Sequence, residues 1–148
     1  MNDLLFVYGT LRRAVGAPAH ELFREHASFV DEAIIQGCLY DLGNFPGLVL
    51  SDRLTDKVQG EVYRLFTPKP TLDLLDQYEG AHGGTKPWPA QYQRLQHTVA
   101  GRQHGRLVAW VYTYALAVKE EQRVVGGDYA VHLRGKPNYR PPSIDRRS

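Results

Sequence analysis

Leu4-Leu5-Phe6-Val7-Tyr8-Gly9-Thr10-Leu11 is the stretch on which the reading of the fold turns. Its first five residues are apolar, aromatic or β-branched and uncharged, the composition of a buried strand, and Gly9 stops the run. A glycine directly after a strand lets the backbone approach a ligand with no Cβ in the way, and successive N–H groups in a turn form an anion-binding concavity. A plain structural turn calls for the same glycine, so the octet alone leaves both readings open.

Outward from the octet, Pro18 and residues 19–26 predict a helix with Leu22 and Phe23 as its apolar stripe and Pro18 near its first turn. Residues 27–40 mix apolar and β-branched side chains and predict a strand, broken by the loop Gly43-Asn44-Phe45-Pro46-Gly47. Residues 58–65 alternate, with Val58, Gly60, Val62 and Arg64 on one side and Gln59, Glu61, Tyr63 and Leu65 on the other. Thr67-Pro68-Lys69-Pro70-Thr71 is incompatible with a helix interior, so the next helix is expected to start with Thr71 as N-cap, carry Leu72, Leu75 and Tyr78, and stop at Gly80. Residues 81–91 hold His82-Gly83-Gly84 and Pro87-Trp88-Pro89 and read as a hinged loop. Residues 91–99 and 107–116 predict two further strands. Five strand-like segments and two helices, with few βαβ alternations, favour an α+β fold over a doubly wound sheet.

The chain has 148 residues, 43% hydrophobic and 23% charged, which suits one autonomously folding domain rather than a disordered chain. The expected division is a domain over residues 1–133 and a basic, proline-rich C-terminal tail over 134–148. A formal charge of only +2 supplies no whole-molecule field for nucleic acid. The tail offers five cations against Asp145, with Tyr139 as its one aromatic, a thin platform, so nucleic acid is not an expected partner. The apolar run behind Met1-Asn2-Asp3 is shorter than a signal-peptide core or a membrane span, and a cytoplasmic protein with no membrane partner is expected. Cys38, the single cysteine, has no internal disulfide partner and sits in a strand without cues for a thiolate. The six histidines show no i, i+4 pair and no Cys/His ligand spacing, so no metal is expected.

Four segments in order, Val7-Tyr8-Gly9-Thr10-Leu11, Gly37-Cys38-Leu39-Tyr40-Asp41-Leu42-Gly43, Gly60-Glu61-Val62-Tyr63 and Leu75-Asp76-Gln77-Tyr78-Glu79-Gly80, resemble the γ-glutamylcyclotransferase-like (AIG2-like) family. Tyr92-Gln93-Arg94, Ala109-Trp110-Val111-Tyr112 and Gly127-Asp128-Tyr129 extend the resemblance from residue 4 to about 130. It implies a small, mostly antiparallel β-barrel with flanking helices, a substrate pocket at its mouth and no cofactor. It also implies that backbone N–H groups of Tyr8, Gly9, Thr10 and Leu11 hold a γ-glutamyl substrate, and that Glu79 is the catalytic carboxyl. At a helix C-terminus the negative end of the dipole raises a carboxyl pKa, which suits proton transfer. The reaction implied is attack of the substrate's own α-amine on its γ-carbonyl, giving 5-oxoproline and a released amine. Residues 13–17 lack the Gly-x-x-Asn ending of relatives acting on γ-glutamylamines, so the leaving amine stays open. The alternative is a non-catalytic binding module on the same scaffold.

Around this centre, Arg12 and Arg13 are candidates for a substrate carboxylate or for a solvated pair. Tyr112 and Tyr114 share one strand face and are candidates to line the pocket or to pack the core. Asp73, Asp76 and Glu79 share roughly one helix face. Arg94 is a candidate partner for a carboxylate. The loop over residues 81–89 is expected to act as a lid with Trp88 as its anchor.

Overall fold

The computed structural model describes residues 1–43, 45–79 and 91–136. Six strands and three α-helices follow one another: β1 (Leu4–Val7), α1 (Pro18–Phe23), β2 (Ala27–Asp41), β3 (Pro46–Leu50), β4 (Lys57–Leu65), α2 (Pro68–Glu79), β5 (Tyr92–Gly101), β6 (Gly105–Tyr114) and α3 (Tyr129–Arg134). The sheet order is β3-β2-β4-β1-β6-β5, and a further pairing of β2 with β5, through Ala33↔Gly101 and Ile34↔Ala100, closes β2, β4, β1, β6 and β5 into a barrel. All pairings are antiparallel except β1 with β6. The mostly antiparallel α+β barrel implied by the sequence is the fold observed.

β2 makes the closure possible because it is long enough to serve three partners. Residues 27–36 pair with β4, and Gly37–Asp41 pair with the outlying β3. A register shift between Phe29 and Asp31 marks a bulge, the usual device for bending a strand around a barrel. Asp31 leaves the bulge buried, and its Oδ2 accepts the Gln103 and His104 amides at 2.9 Å each, which ties the β5–β6 turn to β2 at the seam.

Alternation divides the core in two. Phe6, Ala33, Ile35, Val58, Val62, Val99 and Val111 come from all five barrel strands and fill the interior, with Tyr129 and Leu133 of α3 joining them. Leu5, Val7, Tyr63, Leu65 and Tyr112 face outward and are covered by Phe23 of α1 and Leu72 of α2. β1 and β4 approach closely at Gly60, where an added Cβ would strike the Phe6 ring and the Val7 carbonyl.

Several local expectations need correction. Pro46 and Gly47 begin β3 instead of lying in a loop; a proline suits the first residue of an outlying strand. α2 starts at Pro68, with Thr71 N donating to Thr67 O at 3.2 Å, because prolines in a first turn forfeit only N–H groups that would have no intrahelical partner. Thr71 is therefore a buried helical residue and not the cap. α1 ends at Phe23, three residues short of His26, and of the expected stripe Leu22 is 47% exposed and Phe23 is buried. α3, N-capped by Asp128 accepting from Val131 N, had no sequence prediction. No helix among the described residues is long and apolar enough to cross a membrane.

Candidate active site

The octet folds as a strand ending at Val7 and a turn closed by Arg12 N donating to Gly9 O at 3.0 Å. Among the described residues the Thr10 and Leu11 amides donate to no protein acceptor. Gly9 is required by packing: a Cβ there would lie 2.8 Å from Pro46 Cγ, and the Pro46 carbonyl accepts the Tyr92 hydroxyl at 2.7 Å. β3 and β5 thus support the turn from one side. Tyr8 points into the interior, 7% exposed, and its hydroxyl donates to the Tyr112 carbonyl at 2.5 Å.

From Tyr112 a chain of hydrogen bonds runs to α2. The Tyr112 hydroxyl donates to Asp76 Oδ1 at 2.6 Å, and Arg94 grips the same carboxylate in a fork, Nε to Oδ1 at 2.7 Å and Nη2 to Oδ2 at 3.0 Å. The Arg94 guanidinium also lies 4.4 Å from the Trp110 ring centroid. Its hydrogen bonds to Asp76 outweigh burial and raise the Arg94 pKa above its ordinary value, so the guanidinium stays charged. Glu79 is the last residue of α2, three positions after Asp76. The helix turn that ends in Glu79 is therefore tied through Asp76 and Tyr112 to the strand that supports Tyr8.

A second network holds the chain just after the turn. Glu61, 2% exposed on β4, accepts the Arg13 amide at 2.9 Å, the Ala14 amide at 3.2 Å and the Tyr63 hydroxyl at 2.8 Å. Burial, and then the Glu61 carboxylate taking its hydrogen bond, push the Tyr63 pKa well up. Arg12 is buried between Glu61, with Nε 3.7 Å from Oε2, and Asp128, with Nη1 3.0 Å from Oδ1. Arg12 is thus a structural ion-pair residue, and of the two neighbouring arginines only Arg13 stays exposed. The positioning roles of Glu61, Asp76, Asp128 and Pro46 were not foreseen. Three of them lie in quoted motif segments, which was the one available signal.

A family model described as gamma-glutamyl cyclotransferase, AIG2-like, matches residues 5–131. The chain belongs to this γ-glutamylcyclotransferase, AIG2-like family. It is 31% identical over 132 residues to a Vibrio cholerae protein named "Putative gamma-glutamylcyclotransferase", covering 87% of this chain and 96% of that one. The crystal structure of YkqA from Bacillus subtilis superposes with a TM-score of 0.67 at 26% identity, over 90% of this chain and 41% of YkqA, so the chain spans less than half of that relative. An AIG2-like protein from mouse gives a TM-score of 0.66 at 26% identity, covering 86% of this chain and 87% of its own.

Other candidates in this γ-glutamylcyclotransferase-like chain take ordinary places. Asp73 pairs with Lys69 on the exposed face of α2 at 3.2 Å, apart from Asp76. Tyr114 packs edge-on against Tyr92, with centroids 5.3 Å apart. Cys38 is partly buried and donates to Asp56 at 3.4 Å; burial first, then that bond, raise its thiol pKa. A protonated thiol is a poor nucleophile. No group of three His, Cys, Asp or Glu side chains among the described residues could hold a metal. The lid expected at residues 81–89 with Trp88, the Gly80 stop, and the tail beyond Lys136 lie outside the described residues.

Proposed function

We propose that the protein is a cytoplasmic γ-glutamylcyclotransferase that converts a γ-glutamyl amide or amine to 5-oxoproline, with Glu79 as general acid/base. The observation that carries this reading is the hydrogen-bonded chain Tyr8–Tyr112–Asp76–Arg94, which joins the strand leading into the Tyr8 to Leu11 turn to the helix turn ending in Glu79. Family membership supports it independently.

In this reading the Tyr8 to Leu11 turn offers amide donors to the glutamyl moiety, and the substrate folds so that its α-amine faces its γ-carbonyl. The amine nitrogen attacks the carbonyl carbon, forming the ring C–N bond and a tetrahedral intermediate. The Glu79 carboxylate accepts the proton shed by the attacking nitrogen. It then returns that proton to the leaving nitrogen as the original amide C–N bond breaks, so enzyme and proton count are restored at each turnover. Holding the reacting atoms together contributes roughly 7–11 kcal/mol. The proton relay adds about 10²–10⁴-fold.

The test is a panel of γ-glutamyl compounds, including γ-glutamyl amino acids and γ-glutamylamines, with release of 5-oxoproline as readout. Turnover of at least one member is expected. A panel that binds at the turn and releases no 5-oxoproline would replace this reading with the non-catalytic binding module.

A further inference from the structure

A cleft of about 540 Å³ opens between α1, the start of β2 and Tyr63 of β4, on the outer side of the barrel. Its size is that of a small-molecule site, roughly 300–1,000 Å³. We propose that this cleft binds a small organic monoanion, a carboxylate carried on a flat apolar body. The proposal stands independently of the γ-glutamyl reading.

Arg13 supplies the anchor. Its guanidinium carbon lies 3.8 Å over the Phe29 ring centroid, while its backbone is pinned by the Glu61 carboxylate. Among the described residues Arg13 has no acidic partner within ion-pair distance, unlike Arg12, which is committed to Glu61 and Asp128. Held over the ring, the guanidinium offers its N–H groups to a planar, two-oxygen acceptor, the geometry of a carboxylate. His20 faces the same cleft. Its Nδ1 lies 2.8 Å from the Leu11 carbonyl, and since a carbonyl only accepts, Nδ1 carries the hydrogen and Nε2 remains for another partner.

The charge balance selects a single negative charge. Arg13 and Arg24 line the cleft with Glu21, a formal charge of +1 from these three side chains, and the Arg24–Glu21 pair is exposed and weak. The body of the ligand is set by the remaining wall. Phe29 is 37% exposed and meets Tyr63 edge-on at 5.7 Å. Phe29 is therefore the apolar surface of the wall, with Tyr63 buried beneath it and its hydroxyl held by Glu61, and Ala17 and Ala27 are small enough to leave room for a flat group.

Benzoate is the probe, titrated into the full chain while amide and aromatic NMR shifts are followed. The expected result is saturable shifts at Ala27, Phe29 and His20 that excess 5-oxoproline does not displace. Arg13→Gln, at an exposed position, is expected to weaken benzoate by about tenfold or more, the worth of a charge-assisted hydrogen bond. The neutral isostere benzamide is expected to bind the unaltered protein at least as weakly, a comparison that needs no variant. The proposal is overturned if no saturable shift occurs, if benzamide and benzoate bind alike, if Arg13→Gln retains full affinity, or if the shifts centre on residues 8–11 and vanish with 5-oxoproline.

Discussion

Asp56 binds together three segments that the sequence keeps apart. Its carboxylate accepts Ser51 Oγ at 2.6 Å, Cys38 Sγ at 3.4 Å and Arg123 Nη2 at 3.2 Å. The Ser51 and Cys38 bonds, with Arg123 beside them, outweigh partial burial and hold its pKa below the usual carboxylate value. A carboxyl whose pKa is lower folded than unfolded stabilises the fold above its unfolded pKa of about 3.9, and that contribution is lost as pH falls through the folded value. Asp56→Asn should therefore melt well below the unaltered protein at about pH 7, with the gap closing toward about pH 3. Calorimetry at both pH values checks this; a gap independent of pH would mean that the ionised form contributes nothing.

α2 depends on tertiary anchors more than on its own caps. Leu72 is fully buried, and Asp76 receives both Arg94 and Tyr112. Removing the acceptor strands the half-buried Arg94 guanidinium, so Asp76→Ala is expected to cost about 1–3 kcal/mol. The double variant Asp76→Ala, Arg94→Ala should cost less than the sum of the single ones, by urea unfolding; strict additivity would show that the fork contributes nothing. The segment also shows where sequence reading reaches its limit. All five barrel strands were legible, β1 as an apolar run stopped by Gly9 and β4 by its alternation. β3 was not, since Pro46 and Gly47 are breakers in isolation and become strand only against Tyr40 and Asp41. The start of α2 was misjudged for the same reason, prolines being read as breakers. The task of Asp76 was invisible locally because its partners lie 18 and 36 residues further on.

Across the described residues, closure of β2 onto β5 joins five strands into one barrel, and Tyr112 of β6 and Arg94 of β5 tie Asp76 of α2 to it. Sequence periodicity gave the strands without their order; the motif segments were what implied a barrel and pointed to the turn and Glu79. The separate fates of Arg12 and Arg13 were out of reach, since they depend on Glu61 and Asp128 converging on one of two adjacent arginines. The central claim is that the turn binds the glutamyl group while Glu79 moves the proton, and these two duties separate in Glu79→Gln, an amide of nearly the same shape that shuttles no proton. The direct measurement compares 5-oxoproline binding by calorimetry with the rate of 5-oxoproline release from the best γ-glutamyl substrate, in the unaltered protein and in Glu79→Gln. The account predicts equal binding and a rate lowered by about 10²–10⁴-fold; a variant that turns substrate over at the unaltered rate would contradict it.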